Sequence, residues 1–267
     1  MRKFVILMML CAAVMTTRAQ SDDFGIWTSL EVQKKIDKKW SVSAEAEMRT
    51  RDNAKTIDRW SGGLDVGYKI AKNLKISAGY TFLWDNNERI SHYDETDGKV
   101  INGATWDDGT PIKVGDPKKR GEYWGARHRF SVSLTGEKTF GAFNVSLRER
   151  WQYTYRPEHT VDQRWSFYDN DWDGKEHTYR AKGKNVLRSR LQVEYKQRKG
   201  QKLLPYASVE MYNAWAIEKM RYTLGADYKV AKQHTLGLYY RYQSVHNDDF
   251  DNEPNRHILG VGYQFKF

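Results

Sequence analysis

Between Trp40 and Arg51 the side chains alternate without a break. Trp40, Val42, Ala44, Ala46 and Met48 fall on one face; Ser41, Ser43, Glu45, Glu47, Arg49 and Arg51 fall on the other. A period of two belongs to a β-strand with one apolar and one wet face. The pattern recurs to the end of the chain, where His257, Leu259, Val261, Tyr263, Phe265 and Phe267 oppose Ile258, Gly260, Gly262, Gln264 and Lys266. Soluble domains rarely end on a bare apolar strand, because an open edge invites aggregation. A membrane barrel needs such a strand to close its wall, with aromatic rings at the water interface.

Composition bears on this in one respect. The mean hydropathy of −0.82 is far too polar for a bundle of membrane helices. It is compatible with a barrel, in which only every second wall residue faces lipid and long loops dilute the average. No stretch beyond the N-terminus is apolar enough for a transmembrane helix.

The N-terminus reads as a secretory signal peptide over residues 1–19, followed by one barrel domain over 20–267. Arg2 and Lys3 precede an apolar run, Phe4–Val14, and Thr17-Arg18-Ala19 offers small residues before a cut after Ala19. The run is too short to span a bilayer. The one cysteine, Cys11, lies inside it, so the mature chain is expected to carry no disulfide and no thiolate metal site. The net charge of +10 falls to +7 without Arg2, Lys3 and Arg18. Export and the strand-wise placement of the basic residues argue against nucleic acid as a partner.

The connections sort by parity. Residues 36–39, 71–73, 136–139, 197–202 and 231–233 are short; 52–58, 85–122, 157–183 and 244–255 are longer, with a brief link at 214–216 in the same set. Outer-membrane barrels have short periplasmic turns and longer extracellular loops, whereas a sandwich has no reason to sort its loops. The expected fold is therefore all-β, a transmembrane antiparallel up-and-down barrel in the outer membrane of a Gram-negative bacterium. Eleven strands can be counted, but bacterial single-chain barrels have even numbers. Twelve is the expectation, with an overlooked strand in 85–122 or 157–183, and ten is the alternative.

Several segments carry a resemblance: Phe24-Gly25-Ile26-Trp27-Thr28, Lys38-Lys39-Trp40, Arg148-Glu149-Arg150-Trp151-Gln152-Tyr153, Asn185-Val186-Leu187-Arg188-Ser189-Arg190 and Tyr239-Tyr240-Arg241-Tyr242. With these the chain resembles a family of Bacteroidota outer-membrane β-barrels known only as a domain of unknown function. The resemblance implies fold and location and brings no catalytic or ligand residues.

If the apolar faces meet lipid, a charged set points inward: Glu45, Glu47, Arg49, Arg51, Asp65, Arg127, Arg129, Arg148, Arg150, Arg188, Arg190, Glu194, Glu210, Arg221, Asp227 and Arg241. One reading is a porin-like lining for small polar or anionic solutes, since rings of Arg favour anions. The other is a structural network that fills a narrow bore, because buried Arg requires partners. The second reading implies a non-conducting structural barrel, or one that binds a glycan or protein through its loops. His128 and Glu149 break the register and fall on the apolar face.

Asp169-Asn170-Asp171-Trp172-Asp173-Gly174 matches the start of a calcium loop, with carboxylates at alternate positions, but Arg180 stands where the closing Glu belongs. Calcium at Asp169, Asp171 and Asp173 is weighed against a solvated loop, with Asp249, Asp251 and Glu253 as a looser acidic cluster. None of the seven histidines stands with a Ser in a recognisable arrangement, so no enzyme is expected. Trp40, Trp60, Trp84, Trp124, Tyr222 and Tyr242 suit an interfacial girdle, while Trp106, Trp165 and Trp172 lie in loops and suit a partner or glycan. The expected partners are outer-membrane lipid and, through the strand ending at Phe267, the barrel insertion machinery.

Overall fold

The computed structural model describes residues 22–196, 200–246 and 253–267. The signal peptide over 1–19, Asp249 and Asp251 lie outside the described residues. Eleven long strands form the wall: β1 (Asp23–Lys35), β2 (Trp40–Arg51), β3 (Thr56–Ala71), β4 (Leu74–His92), β5 (Pro117–Phe140), β6 (Phe143–Arg156), β11 (Lys182–Tyr195), β12 (Leu203–Asn213), β13 (Ile217–Lys229), β14 (His234–Val245) and β15 (Arg256–Lys266). A single-turn helix, α1 (Gly98–Ile101), sits between β4 and β5. Four short strands lie between β6 and β11: β7 (His159–Val161), β8 (Trp165–Ser166), β9 (Asp171–Trp172) and β10 (His177–Tyr179).

Each wall strand pairs antiparallel with its sequence neighbours along the wall, β6 meeting β11 directly, and the sheet closes through β1 and β15. That last pairing is parallel and runs without a break from Asp23↔Arg256 to Gln33↔Lys266. This corrects the expectation of twelve strands. The wall has eleven, and an odd number can close only with its first and last strands parallel. The segment suspected of hiding a twelfth strand, 157–183, holds β7–β10 instead. They stay out of the wall: β8 adds to β5 at Lys119 and Arg120, β9 pairs with β8, and β7 pairs with β10.

The period-two pattern sets which residues face where. Outward side chains form an exposed apolar belt that includes Leu64, Phe130, Leu147, Leu191 and Leu238, with Leu64 66% exposed. A continuous apolar belt of this kind suits hydrocarbon rather than water. Trp84 stacks on Trp124 at 6.5 Å near one rim, and Trp40 meets Tyr68 at 4.7 Å near the other, as the girdle reading expects. The two register-breaking residues point outward and are paired. The Tyr80 hydroxyl lies 2.8 Å from His128 Nδ1, and the Ser189 hydroxyl donates to Glu149 at 2.6 Å.

Two spans differ from the sequence reading. β4 and β5 pair as far as Ser91↔Lys119 and Ile90↔Arg120, so the loop between them is 93–116 rather than 85–122. A spanning strand needs about 9–11 residues; β5 has 24 and projects well past the belt. The β5–β6 turn is Gly141-Ala142, not 136–139. Gly141 has φ +57°, a conformation that suits glycine, and β5 continues through Phe140.

One lumenal glycine of β15, Gly260, has a packing role. Four neighbouring strands alternate Tyr206, Gly225, Tyr239 and Gly260 in directly opposed positions. Tyr206 leans onto Gly225 and Tyr239 lies across Gly260, where an added Cβ would overlap the ring. Bare backbone on one strand thus seats the ring of the next. We expect Gly260→Val to destabilise the barrel by about 1–3 kcal/mol through overpacking, and Tyr239→Ala in the same chain to recover part of the loss. Urea unfolding followed by heat-modifiable gel mobility would measure both.

Candidate functional site

The bore is the candidate site, and its section towards the long-loop rim is filled. Trp27, on the lumenal face of β1, is 3% exposed. Guanidinium groups surround its ring: Arg49 at 3.7 Å from the centroid, Arg221 at 5.0 Å and Arg241 at 5.2 Å. Tyr212 of β12 is a second such ring, with Arg188 at 4.5 Å, Arg221 at 4.7 Å and Lys219 at 5.4 Å. Cations over aromatic faces attract through the ring quadrupole, more strongly where water is excluded. Gln243 and Ile258 are wholly buried beside them. A cavity of about 40 Å³ lies within this plug, lined by Arg49, Gln152, Arg188 and Glu253 among others. That is room for one or two waters.

Carboxylates answer many of the cations. Asp85 of β4 takes both Arg59, through two hydrogen bonds, and Arg127 at 2.8 Å. Asn87 accepts from Arg127 at 2.8 Å. Arg49 pairs with Glu47 at 2.7 Å, and Lys184 pairs with Glu218. Glu210 accepts from Arg148 and from Arg188, the latter at 3.0 Å, and from the Tyr212 hydroxyl at 3.2 Å. Glu253, in the connection before β15, accepts from Lys219 at 2.9 Å and Gln243 at 2.8 Å. Burial pushes the Glu253 carboxyl up, but Lys219 and Arg221 outweigh it and hold the group well below the usual carboxylate range. At the seam Arg256 reaches Asp23 at 2.7 Å and Asp58 at 3.3 Å.

Beyond the plug, on the long-loop side, a vestibule of about 650 Å³ opens. Its wall is almost wholly charged or amide: Asp22, Asp52, Asn53 and Lys55 at the lip, and Arg59, Asp85 and Arg256 at the floor. An apron stands to one side on the projecting end of β5. There Tyr123 stacks between His159 at 4.3 Å and Tyr179 at 5.0 Å, and Trp165 meets Trp172 edge-on at 5.7 Å.

The sequence-derived lumen set divides along the bore. Arg49, Glu47, Arg127, Arg148, Arg188, Glu210 and Arg221 meet in or beside the plug. Arg129 reaches Thr154 at 3.4 Å, and Arg241 reaches Thr223 at 3.0 Å. Arg51 stands at the mouth, bonding the Asn86 carbonyl at 3.0 Å. Glu45, Asp65, Glu194 and Asp227 lie nearer the short-turn rim and have no ion pair among the described residues. Sequence reasoning missed Trp27, Arg59, Asp85, Tyr212, Lys219, Gln243 and Arg256, and put Glu253 in a loose acidic loop cluster rather than in the bore. The available signal was parity: Arg59 and Asp85 share the lumenal phase of β3 and β4, one step past where the apolar partners thin out.

The three aspartates of the calcium hypothesis do not converge. Asp169 accepts from the Ser166 hydroxyl at 2.7 Å, and Asp171 caps the Trp172 amide at 2.7 Å. Asp173 accepts from the amides of Arg164 at 2.9 Å and Lys175 at 3.2 Å, and from Lys119 at 2.8 Å. Among the described residues no group of three metal-ligating side chains occurs. Burial pushes the Asp173 carboxyl up, but the Arg164 amide and the Lys119 ammonium outweigh it and hold it far below its ordinary value.

The protein-family model described as protein of unknown function DUF2490 matches residues 24–254. No curated protein matches the chain. Among solved structures, the β domain of the Bordetella autotransporter BrkA is similar at 10% identity, covering 91% of this chain and 95% of its own, with a TM-score of 0.49. The NanC porin is similar at 14% identity, covering 92% and 98%, with a TM-score of 0.45. The translocator domain of the autotransporter NalP from Neisseria meningitidis is similar at 11% identity, covering 79% and 71%, with a TM-score of 0.45. Likenesses this distant carry no argument about activity.

Two outcomes follow from the geometry. Asp85→Asn leaves two buried guanidiniums without their shared charge, and we expect a loss of about 3–5 kcal/mol in urea unfolding, the range for a broken buried pair. The folded Asp173 titrates below its unfolded value of about 4. Its stabilisation of the apron is therefore complete above that pH and disappears as pH falls through the lower, folded value. Slow hydrogen exchange at the Arg164 amide should persist from neutral pH to about 4, fade only in stronger acid, and be absent at neutral pH in Asp173→Asn.

Proposed function

We propose, for a chain that belongs to the DUF2490 family of proteins of unknown function, an integral outer-membrane barrel that does not conduct while its plug is in place and that receives a polar ligand in its outer mouth. The observation that carries this reading is the plug, in which Trp27 and Tyr212 are clamped by five cationic side chains with about 40 Å³ left between the walls. On this reading the clamped rings stand in the path of a hydrated ion.

On this reading the long-loop rim faces outward from a Gram-negative bacterium, Bacteroidota being the group whose barrels the chain resembles. The short turns and Phe267 face the periplasm, and the apolar belt meets lipid. The C-terminal strand is the segment that the insertion machinery reads. The vestibule, with carboxylate, guanidinium and amide groups around about 650 Å³, suits a charged, hydroxyl-rich ligand such as a surface glycan. Trp172, half exposed on the apron, offers a ring for stacking on a sugar. No catalysis is assigned and no cofactor is required. Three of the histidines are engaged with tyrosines rather than a nucleophile: His128 with Tyr80, His234 with Tyr263 and His257 with Tyr240.

One observation favours the alternative of a narrow anion path: lumenal Arg outnumbers its carboxylate partners on β6 and β11. Planar-bilayer recording separates the two. Wild-type protein folded in detergent is expected to give no conductance steps, whereas Trp27→Ala combined with Arg49→Ser is expected to give resolvable ones. Regular steps from the wild type would overturn the closed-barrel reading.

A further inference from the structure

The register of β6 against β11 places Arg150 directly opposite Arg188, and Arg148 directly opposite Arg190. Facing side chains across an antiparallel pair sit within about 5 Å at Cβ, and like charges there repel. Four guanidiniums thus form a square on one wall of the bore, in which Arg188 also belongs to the plug and Arg148 and Arg190 lie one step nearer the short turns. A single carboxylate, Glu210, serves them. It stands opposite Arg190 in the β11–β12 register, yet its oxygens go to Arg148 and Arg188. Arg150 finds only the Ser133 hydroxyl, at 2.7 Å. Arg190 has no ion pair or hydrogen bond among the described residues. The Nε–H groups of Arg148, Arg188 and Arg190 are all buried and unpartnered. Asp65 and Glu45, which act on Arg150 through space from the other side of the bore, form no ion pair with it.

Such a square is unfavourable as it stands. A buried guanidinium without a partner loses its hydration and regains nothing. The arrangement at Asp85, one carboxylate between two cations, serves Arg148 and Arg188 through Glu210, and no carboxylate pairs with Arg150 or Arg190 among the described residues. A small anion with several oxygens restores the balance. It would accept from more than one planar fork at once, the geometry for which guanidinium is the preferred donor. Towards the short-turn rim the lumenal faces continue with Ser146 on β6, Gln192 and then Glu194 on β11, and Thr135 on β5. The plug stands between the square and the vestibule, so a solute reaches the square from the short-turn side.

We infer that Arg148, Arg150, Arg188 and Arg190 form a binding site for a small multivalent oxyanion of the phosphate or sulfate class, entered from the short-turn end of the bore. The site is separate from the vestibule on the other side of the plug, and it does not depend on whether the vestibule binds a glycan.

Inorganic phosphate is the probe, and the heat-modifiable transition of detergent-folded protein is the readout. A ligand that binds only the folded state raises its midpoint by mass action. For the wild type we expect a higher midpoint in millimolar phosphate than in sodium chloride of equal ionic strength. Sulfate should act like phosphate. Calorimetric titration with phosphate should show saturable heat. In Arg190→Gln and Arg150→Gln, each of which removes one repelling charge, the midpoint without phosphate should equal or exceed that of the wild type. The extra effect of phosphate over chloride should be abolished, with affinity weakened about tenfold or more, as for loss of one charge-assisted contact. Equal midpoints in phosphate and matched chloride for the wild type would overturn the site, as would an undiminished phosphate response in both variants. If neither variant folds while the wild type is indifferent to phosphate, the square is a structural support and the proposal fails. If neither folds while the wild type responds to phosphate, Arg148→Lys, which keeps the charge but not the planar fork, decides: a retained full response overturns the site, and a weakened one supports it.

Discussion

The seam between β1 and β15 is the constraint on which the rest of the molecule depends. A β wall in a membrane cannot leave an edge open, because an unpaired backbone group in hydrocarbon costs several kcal/mol. With eleven strands the only closure is parallel, and the chain achieves it over eleven consecutive pairs. Two consequences follow directly. The ends of the described wall leave at opposite rims, Asp23 among the long connections and Lys266 among the short turns. And Trp27 is brought beside Gly260, its partner in the seam, on the lumenal face. The bare backbone there already seats Tyr239, so two aromatic rings enter the bore side by side where side chains of ordinary size would collide. The plug is thus built at the seam, from the residues that make the seam possible.

Much of this was legible from alternation alone. The segments Trp40–Arg51 and Arg256–Lys266 behave as their patterns say, and the parity of loop lengths gives the two rims. The count of eleven is legible too, against the even-number regularity of bacterial barrels. The physical point is that closure demands paired edges and not an even count. Where the reading failed, the alternation had lost one of its two signals. Past the apolar belt the outward residues of β4 and β5 become polar, and the pattern reads as loop. Arg59 and Asp85 sit at that transition, which is why the best-satisfied ion cluster in the bore was not anticipated. Trp27 was hidden for the converse reason: an aromatic residue on a polar face looks like an exception, although three guanidiniums make it the centre of its surroundings.

The calcium motif shows the limit of reading spacing without context. Carboxylates at alternate positions serve a cation only if the backbone turns them inward together. In this apron Asp173 is drawn instead to the amides of Arg164 and Lys175 and to Lys119, and each aspartate stabilises a different part of the loop. The histidines on the outer wall follow the same logic. A polar ring at the belt is tolerable when a neighbouring phenol takes its Nδ1, as Tyr80 does for His128 and Tyr240 for His257, so these pairs read as local satisfaction of a polar group at a wet–apolar boundary.

The two halves of the bore then differ in kind. Towards the long loops, opposite charges interleave with rings. Opening that section would separate guanidiniums from both carboxylate and aromatic partners at once, in a space without water to replace them, so it is the stiffer half. Towards the short turns the lumenal faces carry Ser41, Ser43, Gly67, Ser77, Gly79, Ser146, Gly237 and Gly262, which fill little volume and hold no charge. Acidic groups on β2 and β3 and the arginine square on β6 and β11 face this space from different walls without an ion pair between them. Charge separated across a low-dielectric gap sets up a transverse field, and a field with no side chain bridging it acts on whatever solute enters. The plug end of the bore thus sets its cations among rings, amides and carboxylates, whereas Arg150, Arg190, Glu45 and Asp65 towards the other end have no ion pair among the described residues. That asymmetry makes the short-turn half, rather than the plug, the part of the bore able to interact with a solute.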